Sequence, residues 1–433
     1  MPTLDWIGKK AVLNHHREVP YHLLKCDKSL SVGDPGSGNL LVQGDNLLAL
    51  KALLPYYAGQ VKCIFIDPPY NTGNENWVYN DNVNSPEIRN WLGKVVGAEA
   101  EDLSRHDKWL CMMYPRLAVL REFLREDGAI FVAIDDVEIG HLRLVMDEIY
   151  GARNLIANFV WQSKDTPGNN SSGVAETHNH ILAYKRSDRF VPNMLTRNER
   201  QLATYTNPDN DPRGPWLATP LTRAEHRDRD YYELKNPAGR KVFPPTGSSW
   251  RRPPIKMKEL AAEARIWWGK RGDAEFPMEK KFLSEVKDGV VNQTWWPYQF
   301  AGSTRNASAE MKEIFNGQKA FDTPKPIELL KIVAAMASDS DSLILDSFAG
   351  SGTTGHAVMA MNKADGGNRR FILIEMDETI CRDVTAKRLT RVIEGYDARQ
   401  SGGGGTIWES WLPASRRRTR RRIPLLHPRA TAV

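Results

Sequence analysis

Two parts of the chain alternate short apolar runs with amphipathic segments of helical period, and the part between them does not. In the first, Asn39-Leu-Leu-Val-Gln-Gly44 reads as a strand, and residues 46–54 read as a helix with Asp45 at its N-cap. Lys62-Cys-Ile-Phe-Ile66 and Ala129-Ile-Phe-Val-Ala-Ile134 are unbroken apolar runs of strand length, the pattern of strands covered on both faces. Residues 109–124 and 139–150 carry helical periodicity. Residues 71–104 are polar, with asparagine at 71, 74, 76, 80, 82, 84 and 90, and predict a long functional loop.

The α/β pattern returns near the other end: a helix over 326–333, a strand over 343–346, a helix over 353–361, a strand at Phe371-Ile-Leu-Ile374 and a helix over 379–393. Each block supplies only a few strands, and a parallel sheet needs cover on both faces, so one sheet built from both blocks is expected. The middle of the chain holds most of the tryptophans and several Pro-rich turns. It predicts an inserted α+β domain with strands at Phe159-Val-Trp-Gln162 and His180-Ile-Leu-Ala-Tyr184. The expected divisions are 1–35, an N-terminal extension; 36–158 and 321–396, the two halves of the α/β domain; 159–320, the insert; and 397–433, a basic disordered tail.

The 433 residues carry a formal net charge of +6. Arg416, Arg417, Arg418, Arg420, Arg421 and Arg422 supply six positive charges in that tail, and without them 53 basic residues face 53 acidic ones. The charge therefore argues for no nucleic-acid-binding body, only for local patches. The four cysteines are scattered without a C-x-x-C pair, which excludes a disulfide framework and predicts a cytoplasmic protein with core cysteines. No apolar run is long enough to span a membrane, and no membrane partner is expected.

Candidate chemistry lies where two predicted strands end. Asp67-Pro-Pro-Tyr70 follows the first: two prolines make a stiff turn that displays carbonyl acceptors, and Asp67 adds an ionised one. An exocyclic NH₂ could give one hydrogen to Asp67 and the other to the Pro68 carbonyl, while Tyr70 stacks on the ring bearing the amine. Asp346-Ser-Phe-Ala-Gly-Ser-Gly-Thr-Thr354 follows the second, a Gly-rich loop entering a helix without the Gly-Lys-[Ser/Thr] ending of a phosphate loop. The next strand ends in Glu375, the place for a carboxylate that binds ribose hydroxyls. His178-Asn-His180 spells a nuclease motif, but nothing nearby completes a metal site and the segment reads as strand; no metal is expected.

Together with Gly44-Asp-Asn-Leu47, Asp67 to Asn74, Tyr79-Asn-Asp-Asn82, Ile130 to Asp136 and Phe321-Asp-Thr-Pro-Lys-Pro326, these segments resemble the β-ordered amino-methylating DNA methyltransferases. Within that group they resemble the adenine-N6 modification subunits of type III restriction-modification systems. The resemblance runs from about residue 36 to about 395. It implies a mixed, mostly parallel seven-stranded methyltransferase sheet with S-adenosylmethionine as cofactor, interrupted by a target-recognition domain between the catalytic and cofactor motifs. It implies that Asp67, Pro68, Pro69 and Tyr70 are catalytic. Asp346 would bind the cofactor, Phe348, Gly350 and Gly352 would line its methionine end, Glu375 would hold its ribose, and Thr323 and Lys325 would close over it, Lys325 as a carboxylate partner. Asp45 is either a cofactor ligand or only a helix cap. Double-stranded DNA is the implied substrate, with adenine favoured over cytosine by Asp at position 67; a homodimer and a helicase-nuclease restriction subunit are the other implied partners. The rivals are a cytosine-N4 enzyme and an inactive DNA-recognition subunit. Carbon-5 methylation is excluded, since it needs a cysteine nucleophile in a Pro-Cys context and no Pro-Cys occurs. After Gly405 the family's pattern stops. A disordered basic tail is the plain reading, and a frame shift near residue 405 the sharper one.

Overall fold

A computed structural model describes residues 3–71, 93–94, 104–167, 173–197, 199–396 and 423–429. The polar 71–104 segment lies almost wholly outside them, and so does the Arg-rich run. The described chain divides into two compact units, one formed by residues 1–193 and 292–433 and the other by Met194–Val291.

The first unit is built on a 10-stranded sheet. Its strands are β1 (Leu23–Val32), β2 (Leu40–Gln43), β3 (Val61–Ile66), β4 (Leu124–Ile134), β5 (Leu155–Trp161), β6 (Asn179–Lys185), β7 (Trp295–Trp296), β8 (Leu343–Asp346), β9 (Arg370–Glu375) and β10 (Ile423–Arg429). Their spatial order is β1-β10-β2-β9-β8-β3-β4-β6-β5-β7. The five strands β2, β9, β8, β3 and β4 run parallel, and β6 is antiparallel to both its neighbours. The sheet is thus mixed and mostly parallel, with the two sequence blocks joined at β8 and β3. It has three strands more than the seven expected: β1 and β10 extend one edge and β7 the other. β1 pairs antiparallel with β10, inside a region expected to be a plain extension, and β10 falls inside the stretch expected to be a disordered tail.

Alternation along the central strands explains the layering. Ile64 and Ile66, Ile130, Val132 and Ile134, and Ile372 and Ile374 enter one core. There they meet residues of α1 (Asn46–Tyr57), α2 (Arg105–Phe123) and α3 (Ile139–Met146). The intervening Cys63, Phe65, Phe131, Phe371 and Leu373 are buried on the other face. That face carries α5 (Ile327–Ala337) and α6 (Thr353–Asp365), which follow α4 (Thr304–Ile314) and precede α7 (Lys387–Glu394). Burial on both sides is why these strands read as unbroken apolar runs. α2 begins four residues before the expected start because Ser104 and Asp107 form a capping box.

The insert is narrower than the composition implied. Residues expected to be its first strands, β5 and β6, belong to the main sheet, where β6 hydrogen-bonds along β4 from Ala129↔Lys185 to Ile134↔His180. The compact unit Met194–Val291 has its own three-stranded antiparallel sheet of Trp216–Pro220, Met278–Phe282 and Ile266–Trp267, and a helix at Pro254–Ala262. Its core gathers Leu221, Val242, Trp250, Met257, Leu260 and Trp268. Trp250 is fully buried and donates Nε1–H to the Tyr232 carbonyl at 2.9 Å. Trp250→Ala leaves a cavity and an unmet carbonyl, so it should cost about 3–5 kcal/mol. Calorimetry should show a transition at lower temperature; an unchanged profile would refute the role of Trp250 as the keystone of this core.

Three cysteines, Cys63, Cys111 and Cys381, are buried as expected, whereas Cys26 is exposed. Burial pushes the Cys63 thiol up to about 12 and Cys111 up to about 11, so neither supplies a thiolate near neutral pH. Among the described residues no helix is long and apolar enough to cross a membrane.

Candidate active site

The register of β8 against β3 decides which chemistry meets. Ile344 pairs with Cys63 and Leu345 with Ile64, so the two parallel strands end side by side. The chain leaves β3 toward β4 on one side and β8 toward β9 on the other. This is a topological switch point, where ligands bind outside the carboxyl ends of the strands. Asp67-Pro-Pro-Tyr70 and the Gly-rich loop therefore share one cavity of about 750 Å³ in the first unit. That volume suits a cofactor together with part of a substrate.

Asp67, Pro68, Pro69 and Tyr70 all line this cavity. The Pro69 carbonyl accepts a hydrogen bond from Trp109 Nε1 at 2.7 Å, which fixes the turn to α2. Asp67 Oδ2 pairs with Lys325 Nζ, while Oδ1 is buried without a well-formed hydrogen bond among the described residues, and the Tyr70 phenol lies beside the carboxylate. The Tyr70 phenol is held well above its usual range by burial first and then by the charge of Asp67, so it stays neutral. Asn71, which ends the turn, has φ 61° and is fully buried. Its Nδ2 donates to Glu138 at 2.5 Å, and His106 and His141 also meet that carboxylate, at 2.6 and 2.8 Å. Sequence reasoning missed Glu138, whose only signal is its place four residues beyond β4.

On the other side, Asp346, Phe348, Gly350, Thr323, Lys325 and Glu375 line the cavity. Glu375 ties the loop to the sheet: Oε2 accepts from the Gly350 amide at 2.8 Å and Oε1 from the Asp377 amide at 3.0 Å. Asp346 closes its own loop, accepting from the Phe348 amide at 3.0 Å and the Thr354 hydroxyl at 2.5 Å. Burial raises its carboxyl to about 7, opposed by those two hydrogen bonds and reinforced by the charges of Asp67 and Glu375.

Two expected cofactor residues sit elsewhere. Gly352 is absent from the cavity wall; it is the left-handed N-cap of α6 at φ 77°, and a Cβ there would come within 3.0 Å of Thr385 Cγ2. Asp45 caps α1 through the Leu47 and Leu48 amides and pairs Oδ2 with Arg116 at 2.8 Å, outside the cavity wall. The geometry favours the helix cap of its two readings. Lys325 pairs with the carboxylate of Asp67.

The far wall includes Asp135, Asp136, Trp161, Lys164 and His178, none of them chosen from sequence as site residues. Asp136 meets His180 Nε2 at 2.9 Å and His178 Nε2 at 3.7 Å. The paired aspartates ending β4 were the available signal.

The raised pKa of Asp346 has a measurable consequence. A carboxyl that titrates near 7 in the fold and near 3.8 when unfolded binds its proton more tightly in the folded state. It therefore destabilises the fold increasingly as pH rises from about 4 to about 7. The loss is at most roughly 4 kcal/mol. Asp346→Asn should flatten this part of the stability–pH curve in urea titrations without cofactor; an unchanged slope would refute it.

The family model described as DNA methylase matches residues 61–387, a span that contains both strand-ending turns. The chain belongs to this DNA methylase family. It is 34% identical over 402 residues to the type III restriction-modification enzyme StyLTI Mod subunit of Salmonella typhimurium, covering 89% of this chain and 60% of that protein. It is 31% identical to the EcoP15I Mod subunit of Escherichia coli, covering 87% of this chain and 64% of that one. With the type II methyltransferase M.KpnI of Klebsiella pneumoniae the identity is 30%, covering 85% of this chain and 91% of that protein. The chain thus spans less than two thirds of the length of the two Mod subunits.

Proposed function

We propose that this DNA methylase moves the methyl group of S-adenosylmethionine to the exocyclic N6 of an adenine flipped out of duplex DNA. The observation that carries the reading is the meeting of Asp67-Pro-Pro-Tyr70 with the Gly350 loop on adjacent parallel strands at one cavity. The lining fits the cofactor chemically. Asp67, Asp135, Asp136, Asp346, Glu375 and Asp377 outweigh Arg116, Lys164 and Lys325, which suits a ligand carrying a sulfonium and an ammonium. Ser347 Oγ is buried on this wall with no partner among the described residues, an acceptor and donor awaiting a polar ligand.

In this reading Phe348 and Gly350 hold the methionine end, Glu375 the ribose, and Thr323 covers the site. Bound there, S-adenosylmethionine supplies an electrophilic methyl whose bonding pair returns to sulfur on transfer. The chain supplies position. Asp67 Oδ1 accepts one amine hydrogen and the Pro68 carbonyl the other, which leaves the nitrogen lone pair directed out of the base plane. Tyr70, neutral and partly buried, stacks on the base. The amine sheds one proton overall, to Asp67 or to water. The base leaves the duplex first, since no groove contact brings N6 into a cavity at a sheet edge. Double-stranded DNA is the substrate, the Met194–Val291 unit lies within the sequence insert assigned to target recognition, and a second copy and a restriction subunit are candidate partners. Purified protein should transfer labelled methyl from S-adenosylmethionine to unmethylated genomic DNA; folded protein without transfer would overturn the reading.

A further inference from the structure

Lys325 sits between two prolines, Pro324 and Pro326, which restrict its backbone, and Pro326 caps α5. Its side chain and its main chain reach different halves of the site. Nζ pairs with Asp67 Oδ2 and lies 5.1 Å from the centroid of the Tyr70 ring. Its carbonyl accepts a hydrogen bond from Thr353 Oγ1 at 3.1 Å, at the first turn of α6, and Thr353 in turn accepts from Arg388 at 2.8 Å. The Lys325 side chain is 11% exposed and that of Asp67 24%, so the pair is shielded from bulk screening.

The two oxygens of Asp67 are therefore unlike. Oδ2 is taken by the ammonium, and Oδ1 is buried in a residue that lines the cavity, without a well-formed hydrogen bond among the described residues and with the Tyr70 phenol beside the carboxylate. The carboxyl groups of Asp346 and Asp135 line the same cavity, and the Tyr70 phenol is neutral. A carboxylate so placed needs a fixed partner to stay oriented. We propose that Lys325 is a positioning residue for the amine: it holds Asp67 by one oxygen so that the other is the one carboxylate acceptor presented to the target nitrogen, beside the Pro68 carbonyl. Because its carbonyl anchors to Thr353, the same residue sets the spacing between the amine-binding turn and the cofactor loop. This role differs from a grip on the cofactor's carboxylate, and it rests on the proposed amine methylation.

The test measures single-turnover methyl transfer and, separately, S-adenosylmethionine binding by titration calorimetry, for wild type, Lys325→Met and Lys325→Ala. Both variants keep the backbone anchor to Thr353. Lys325→Met should bind cofactor as wild type does while its transfer rate at saturating cofactor falls about 10- to 100-fold, the range expected for loss of a charge-assisted hydrogen bond. Propylammonium should restore part of the rate of Lys325→Ala in a saturable way, which a merely structural role would not allow. A cofactor affinity that falls while the saturated rate holds would assign Lys325 to the cofactor and overturn the proposal, and so would an unchanged rate or an absence of rescue. Wild type that binds cofactor yet transfers nothing would overturn the functional reading and this inference with it; active wild type beside an equally active Lys325→Met sinks the inference alone.

Discussion

Asp67→Ala is expected to keep S-adenosylmethionine affinity close to that of the parent chain and to lower turnover by about 10²–10⁴-fold, the span of positioned acid–base and hydrogen-bonding groups. The split follows from geometry. Asp67 stands on the turn after β3, and the residues assigned to the cofactor stand on the loop after β8 and at the end of β9. Removing the carboxylate strips the amine of its charged acceptor and leaves the Lys325 ammonium buried without its partner. Some loss of stability is therefore expected, and the comparison belongs at a temperature where the variant is folded. Calorimetric titration and single-turnover rates check the two halves. Turnover within a few-fold of the parent would remove Asp67 from the reaction.

Glu375→Ala is expected to act in the opposite sense. Glu375 is 4% exposed, and its oxygens accept the Gly350 and Asp377 amides. Truncation leaves the Gly350 amide without this acceptor, loosens the loop and deletes the proposed ribose acceptor. Each hydrogen bond to a charged group is worth about 1.5–3 kcal/mol, so cofactor affinity should fall at least about 100-fold. Glu375→Gln keeps one acceptor oxygen and should lose less. Unchanged affinity in Glu375→Ala would show that the cofactor lies elsewhere.

Much of the site was legible because it sits where strands end. β3, β8 and β9 are buried on both faces, so their apolar runs and the polar residues that stop them stand out in the sequence. Their adjacency was less legible. Nothing local in Leu343–Asp346 says that it pairs with Val61–Ile66 nearly 300 residues away; that came from the need to cover both faces of one sheet. The place of Gly352 was not legible, because a glycine in a Gly-x-Gly loop looks the same whether it faces a ligand or Thr385. Asp45 stayed ambiguous for a similar reason, since a helix cap and a loop ligand share residue type and position. The insert's edges were misplaced because β5 and β6 have the composition of the insert but the hydrogen bonds of the main sheet. Glu138 left no trace in periodicity: a buried carboxylate that anchors Asn71 is recognisable only once α2 and α3 are seen to converge on it.

The central claim is methyl transfer to an adenine amine, and the product itself tests it most directly. Purified protein is incubated with S-adenosylmethionine and unmethylated duplex DNA, the DNA is digested to nucleosides, and these are resolved by mass spectrometry. The account predicts N6-methyldeoxyadenosine from the parent chain and almost none from Asp67→Ala. N4-methyldeoxycytidine instead, or no methylated nucleoside from folded protein that binds the cofactor, would contradict it.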